Sequence, residues 1–435
     1  MTTRILLLYG AMIGLLVLVG LLQSWSVAFA ILNLCLISAV MSMGVNMQWG
    51  YAGLFNAGVM GFAALGGVAA VLFSVSPVPE AIQAGGSDIW IAIVLFILTI
   101  VAGVYSYKRL KIYGPPGLFL VAVIVAIGYI AGRTFFDPAV KAIELVEPAR
   151  TGYLGGLGLP IIISWIFGGV LAAGAAFVVG KISLGLRSDY LAIATLGISE
   201  IIVSFLKNED WLTRGVKNVV GLPRPVAYEV DIQKSPYYQE LAADLGFNIV
   251  EFSSLFVKLS YAGLYLIVML VVLYLCEKAL RSPWGRMMRA IRDNEVSANA
   301  MGKDVTGRHL QIFVLGSAVI GLAGAMLTTL DGQFTPTSYQ PLRFTFLIWV
   351  MVIVGGSGNN FGAILGGFLI WFAWVEAEPL GHWLMSIITS GLAEESTLRA
   401  HLIESAAHMR LMTMGLILLL VLRFSPRGLI PEAKR

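Results

Sequence analysis

Long apolar runs, following one another from end to end, constrain this chain more than any other feature. They fall at 5–22, 27–47, 58–75, 89–107, 116–136, 160–180, 189–206, 259–277, 311–330, 344–356, 361–376 and 409–424. A helix crossing the hydrocarbon core needs roughly 20 apolar residues, or about 17 at the short end. In lipid a backbone must satisfy its own N–H and C=O groups, which a helix does within one segment. Composition agrees: 58% of residues are hydrophobic and 12% charged, with mean hydropathy +0.85. A soluble domain carries about 25% charged residues. The expected fold is therefore an all-α polytopic membrane protein forming a single transmembrane domain over 1–435. It has about twelve crossings, and ten to twelve if 58–75 and 344–356 are broken or re-entrant. The run from 5 to 22 is read as an uncleaved first span, because a second run follows at once without a small-residue cleavage site. Cys35 and Cys276 lie in or beside apolar runs and read as small buried hydrophobes.

Charge orients the spans. Short loops rich in Lys and Arg stay in the cytoplasm. The most basic one, Arg281–His309, holds six Lys or Arg against three acidic residues. If it is inside, so are the Lys108-Arg109-Lys111 turn, the Lys181/Arg187 turn and Arg4. The tail with Arg423, Arg427, Lys434 and Arg435 is inside as well. Both termini are then cytoplasmic, and the loops 207–258 and 377–408 are periplasmic. The first of these carries six basic and seven acidic residues. In the second, helical spacing suggests short helices over the outer mouth. The basic excess of the chain, +4 overall, is a topology signal and points to no nucleic acid.

The loop at 281–309 is patterned as two short helices. Ser282-Pro283 reads as an N-cap with proline at the first helical position, and Met287, Met288 and Ile291 give an apolar side. Arg289 and Asp293 stand at i and i+4 on one face. Asn294 is placed to cap a second helix, Glu295 to Met301, which Gly302 ends in the left-handed C′ position. Two short helices held there make a docking platform.

Three further constellations stand out. Gly50, Gly53, Gly58 and Gly61, with Gln48 and Asn56 among them, are poor material for a lipid-facing helix. They read either as a broken helix lining a translocation pathway or as close packing through small residues. Gly355, Gly356 and Gly358, followed by Gly362, form a second such stretch. Glu200 lies deep in its span, on this reading the only acidic residue so placed, where a carboxylate must face the bundle interior, protonate or find a partner. Pathway gating and helix pairing both account for it. No P-loop pattern occurs, so ATP hydrolysis by this chain through that motif is excluded. The four histidines show no metal-binding spacing and no cofactor motif is evident, which leaves transport without catalysis as the reading.

RSPWGRMMRAIRDNEVSANAMG at 281–302 resembles the cytoplasmic loop of branched-chain amino acid ABC transporter permeases, the M-type subunit. GYAGLFNAG at 50–58, LRSDYLAIATLGISEII at 186–202, VIVGGSGNNFGAILGG at 352–367 and LRFSPRGLIPE at 422–432 are similar to that family's other blocks, in family order. The resemblance implies an importer in a bacterial inner membrane. Two related permease subunits would form its pore, two ATP-binding subunits would dock on the cytoplasmic loops, and a periplasmic solute-binding protein would deliver the solute. Coupling to the ATPase would fall to Arg286, Arg289 and Asp293 and to the helix carrying Glu295, Ala298 and Gly302. The rival reading is a secondary transporter or channel driven by an ion gradient, which accounts for Glu200 and broken helices.

Overall fold

The computed structural model describes residues 3–148, 150–391 and 396–432. Lys434 and Arg435, counted above among the tail charges, lie outside them. The principal helices of the first half are α1 (Thr3–Leu22), α2 (Trp25–Ala52), α3 (Val59–Ser74), α4 (Ser87–Leu110), α5 (Pro115–Glu144), α6 (Ile161–Ser183) and α7 (Ser188–Asn208). Then come α8 (Ile249–Arg281), α9 (Pro283–Asp293), α10 (Glu295–Ala300), α11 (Val305–Asp331), α12 (Pro341–Gly355), α13 (Asn360–Ile388) and α14 (Met409–Phe424).

Ten helical segments among the described residues are long and apolar enough to cross a membrane. The two apolar helices that fall short are α3 and α12, with 16 and 15 residues. At 1.5 Å per residue each spans about 23 Å, less than a hydrocarbon core of about 30 Å. These are the two runs that the sequence marked as broken or re-entrant.

The core is built on α11, which packs against α2, α3 and α6, with α13 packed on the other side against α2. Where α3, α6 and α11 meet, backbone lies against backbone. A Cβ on Gly66 would strike the Gly321 carbonyl, one on Gly321 the Gly168 carbonyl, and one on Gly324 the Ala63 carbonyl. Small residues permit this approach, and dispersion between the close surfaces holds it in a solvent of lipid tails. By contrast α4 and α5 form a hairpin packed chiefly on itself, with Trp90, Ile100, Phe119 and Ile130 exposed. Such a surface suits lipid.

The long segments between spans are more ordered than simple loops. Within 207–258, Val219–Val220 pairs antiparallel with Gln333–Phe334, and short helices occupy Glu229–Lys234 and Pro236–Asp244. In 377–408 the expected separate helices are extensions of spans. Residues up to Ile388 continue α13, and a helix at Thr397–Glu404 leads through a 3-10 turn into α14. Residues 392–395 of that segment lie outside the described residues.

Candidate functional site: the helical hairpin and the glycine turns beneath it

The helical hairpin α9–α10 sits on one end of the bundle. Met288 and Ile291 are buried beneath α9, and Gly285 lets it close onto Leu280 at the end of α8. Trp284 Nε1 and Arg308 Nη1 both donate to Gln311 Oε1, at 3.1 and 3.0 Å, tying α9 to α11. Asn294 caps α10 as its type and position suggested, accepting from the Ser297 amide at 2.9 Å. Gly302, at φ +74°, follows the last turn, and the Lys303 amide closes it by donating to Ala298 O at 3.2 Å.

Two expectations fail locally. Ser282 occupies the N-cap position, yet its hydroxyl donates to Ala279 O at 2.6 Å and caps nothing. Arg289 does not pair with Asp293; it donates to Leu280 O at 3.2 Å and approaches Glu432 at 4.0 Å. The cause is shared: the last turn of α8 ends in unpaired carbonyls, which compete for nearby donors. Asp293 pairs instead with Arg292, at 3.2 Å.

Arg292 is the anchor that sequence reasoning counted only as a charge. Its Nη1 donates to the Gly50 carbonyl near the end of α2, and its Nη2 lies 3.0 Å from Glu432. Both carboxylate and guanidinium are roughly three-quarters covered. Of the other expected coupling residues, Arg286, Glu295 and Gly302 are exposed and Ala298 is half-buried. Val296 on α10 and Met301 just after it are each 80% exposed, which is unusual for apolar side chains beside a polar end of the bundle.

Both glycine stretches meet under this hairpin. Residues 53–58 are not helical, and Gly53 turns the chain at φ +71°. Side chains satisfy the unwound backbone. Asn56 accepts from the Gly58 amide at 2.8 Å and donates to Gln48 Oε1 at 2.9 Å, while Trp349 Nε1 donates to Asn56 O at 2.9 Å. Gln48 in turn donates to Phe313 O and Ser317 Oγ on α11, at 2.9 and 3.0 Å. A non-helical stretch inside a membrane bundle persists where protein supplies such partners. Asn46 accepts from the Gly358 amide at 2.9 Å and donates to Asn360 at 3.0 Å, and Asn360 donates to Glu277 at 3.0 Å. Gly355 and Gly356 are covered by a C-terminal strap: the Leu429 and Ile430 amides donate to Val354 O and Gly355 O, at 2.9 and 2.8 Å. A cavity of about 680 Å³ opens here, lined by Gly50, Gly53, Asp189, Arg292, Ser357 and Glu432 among others.

Glu200 is not part of this assembly. On α7 the buried face runs Leu191, Thr195, Ser199, Val203, Leu206. Thr195 Oγ1 accepts from the Ala57 amide at 3.0 Å, and Gly58 packs against the Thr195 carbonyl. Glu200 is on the exposed side of the helix, away from the subunit's interior. Nor is it the only deep carboxylate. Glu376, 5% exposed, lies past the middle of α13, accepting from Gln23 Nε2 at 2.7 Å while its Oε1 has no partner. Sequence reasoning missed it because the apolar run ends at 376, whereas the helix continues to Ile388.

Long apolar helices around a buried polar belt, with a capped hairpin clamped to one end, define a polytopic membrane protein. Residues 27–422 match the family described as branched-chain amino acid transport system / permease component. The chain belongs to that family. It is 31% identical over 210 residues to the high-affinity branched-chain amino acid transport system permease protein LivM of Salmonella typhimurium. That match covers 46% of this chain and 47% of the relative, so it spans about half the relative's length. The probable branched-chain amino acid transport permease protein LivM of Methanocaldococcus jannaschii is 24% identical over 397 residues, 90% of each chain. The fructose import permease protein FrcC of Rhizobium meliloti is 24% identical over 277 residues, 59% of this chain and 75% of the relative. No solved structure matches the chain.

Proposed function

We propose that this chain is the membrane-spanning permease subunit of an ABC importer in a bacterial inner membrane. It translocates branched-chain amino acids or related small solutes, using ATP hydrolysed on separate ATP-binding subunits. A second, homologous permease subunit completes the pore, and a periplasmic solute-binding protein delivers the solute. Family membership supports this reading, and relatives named for branched-chain amino acids and for fructose set its range.

One observation carries it. The hairpin α9–α10 is capped, anchored to α2, α11 and the C-terminal strap, and yet presents Val296 and Met301 uncovered. Rigid support beneath an exposed apolar knob is what a docking partner needs to transmit force; an ion-gradient transporter has no use for it. Coupling then rests on Arg286, Arg289, Asp293, Glu295, Ala298 and Gly302, with Arg292 as their anchor. The translocation pathway runs past Gly50, Gly53, Asn56, Gly58, Gly355, Gly356 and Gly358. Glu200, on the exposed face of α7, is assigned to the face that meets the second permease subunit, because a carboxylate at that depth is costly against lipid.

The hairpin, the end of α2 and Glu432 meet at one end, and Tyr9 of α1 donates to Phe361 O near the start of α13. Both termini therefore go with the hairpin side, taken as cytoplasmic. Twelve traverses, counting α3 and α12, fit that arrangement. Two experiments test the reading. An ATP-binding subunit co-expressed from the same source should co-purify with this chain and be lost on Val296→Asp. A cysteine at Glu240 should react with an impermeant thiol reagent in sealed cells and one at Val296 should not. Native Cys35 and Cys276 are buried and give little background. Failure of co-purification, or labelling at 296 alone, would reject it.

A further inference from the structure

A groove of about 440 Å³ lies along α13, walled by Leu369, Phe372 and Ala373 of that helix, Leu15 of α1, and Met409 and Thr413 of α14. That is within the range of small-molecule sites, about 300–1,000 Å³. The surface around it is apolar: Leu18 and Leu21 of α1, Leu380 and Trp383 of α13, and Met412 and Leu416 of α14 are all exposed. This is not the face that carries Glu200, since α7 packs chiefly on α3 and the groove is walled by helices packed on α13. A second subunit docked over Glu200 would leave the groove facing lipid.

One polar group in this lining is unexplained by the fold. Glu376 is its one charged residue among the described residues, and it is 5% exposed. Gln23 Nε2 donates to one carboxylate oxygen at 2.7 Å, and the other, Oε1, has no partner. The basic residues at this end of α13 and α14, His382 and Arg410, pair with Glu378 instead. A buried carboxylate left half-satisfied is costly in apolar surroundings. Gln23 follows directly on α1, whose apolar run ends at Leu22, so the carboxylate lies at the edge of the hydrocarbon farthest from the hairpin α9–α10. From that level the groove continues inward to Leu369 and Leu15, about two helical turns deeper. A guest that suits both features carries a cationic N–H donor at the level of the headgroups and an alkyl chain beneath it.

We infer that this groove is a binding site for a lipid with a primary ammonium headgroup, phosphatidylethanolamine, whose ammonium donates to Glu376 Oε1 while an acyl chain lies along Phe372, Leu369 and Leu15. Phosphatidylcholine brings the same cation without an N–H. Phosphatidylglycerol brings hydroxyl donors with a net negative charge. Neither supplies both the donor and the counter-charge that this carboxylate lacks. Bound there, the lipid joins α1, which packs chiefly on α2, to α13 and α14. The inference needs only a chain that spans a membrane, and it stands apart from the importer reading.

The test uses the purified full-length chain, delipidated in mild detergent, and native mass spectrometry of its complexes with dioleoyl lipids. Phosphatidylethanolamine should bind about tenfold or more tightly than phosphatidylcholine or phosphatidylglycerol, the scale of one charge-assisted hydrogen bond. Glu376→Gln keeps the shape of the side chain and should erase that preference. Ala373→Leu, in the groove wall, should weaken phosphatidylethanolamine binding about tenfold by filling the groove while Glu376 is untouched. The same lipid should raise the melting temperature of the wild type and leave that of Glu376→Gln unchanged. Melting without lipid shows whether each variant is folded; if Glu376→Gln is not, the wild-type lipid series and Ala373→Leu decide. Equal binding of phosphatidylethanolamine and phosphatidylcholine, a preference for phosphatidylglycerol, an undiminished preference in Glu376→Gln, or full binding by Ala373→Leu would each overturn the proposal. So would a small membrane polypeptide that co-purifies with the wild type and is lost in Glu376→Gln. None of these results bears on co-purification of an ATP-binding subunit, which tests the importer separately.

Discussion

Arg292 Nη2 lies 3.0 Å from the Glu432 carboxylate, and the same guanidinium reaches the Gly50 carbonyl with its other nitrogen. One side chain thus holds together the hairpin α9–α10, the last turn of α2 and the C-terminal strap. Arg292→Ala leaves a carboxylate and a carbonyl without their donor, at a cost of about 1–3 kcal/mol. The expected result is a lower melting temperature in detergent. In a double-mutant cycle with Glu432→Gln, the coupling should be about 0.5–3 kcal/mol. Additive effects of the two substitutions would show that the contact is incidental.

The coupling helix gives a second expectation. Gly302 sits at φ +74°, which proline, held near −65°, does not reach. Gly302→Pro should leave the protein inserted while abolishing ATP-driven uptake, and Glu295→Lys should do the same through charge at the first turn. Asn294→Ala removes only the cap, about 1 kcal/mol, and should give partial loss. Full uptake in the first two variants would end the assignment of α10 to coupling.

Gln23, itself exposed, donates to the buried Glu376, whose second carboxylate oxygen is already without a partner. Gln23→Leu removes the remaining donor and is expected to destabilise by about 1–3 kcal/mol. Adding Glu376→Leu should recover most of that loss, because two apolar groups replace two polar ones that need each other. Thermal denaturation of the single and double variants checks this. A double variant less stable than Gln23→Leu would mean that Glu376 has a further stabilising partner.

The glycine contacts among α3, α6 and α11 predict an asymmetry that glycine content alone does not. Gly66→Val and Gly321→Val push backbone against backbone and should each cost at least about 1–3 kcal/mol. Gly10→Ala, which meets open space, should be neutral or gain up to about 1 kcal/mol from helix propensity. Expression level and melting temperature distinguish them; similar behaviour of all three would refute close packing as the cause.

Much of this architecture is legible in the residues. The apolar runs mark the helices, and the two runs singled out as doubtful, 58–75 and 344–356, are the two short helices. The glycines at 50–58 mark an unwound stretch, since nothing else favours leaving a helix among apolar neighbours. Asn294 and Gly302 mark the ends of α10 because caps are local chemistry. Partnership across the chain is not local. Nothing near Arg292 points to Gly50, 242 residues away, or to Glu432. Arg289 and Asp293 have the right spacing for a pair and do not form one, because Leu280 O is a competing acceptor contributed by a different helix. The depth of Glu376 does not show in the apolar run, which ends at 376, because α13 continues to Ile388. The side to which Glu200 turns depends on which face of α7 finds neighbours, and polar residues fall on both faces, with Thr195 and Ser199 buried and Glu200 exposed.

The contact of bare backbones among α3, α6 and α11 bears on how the molecule works as a machine. Side chains between helices ordinarily act as a compliant layer, able to change rotamer and let one helix slide past another. At Gly66, Gly321 and Gly324 that layer is missing. α11 starts directly behind the hairpin α9–α10, so under the importer proposal a push received there would reach this three-helix contact first. Bending is left to the places where the helical hydrogen bonds are interrupted, at 53–58 and at the turn between α12 and α13. Under the importer proposal the glycines would then play opposite mechanical parts: locking a lever in one set of positions and forming its joints in the other.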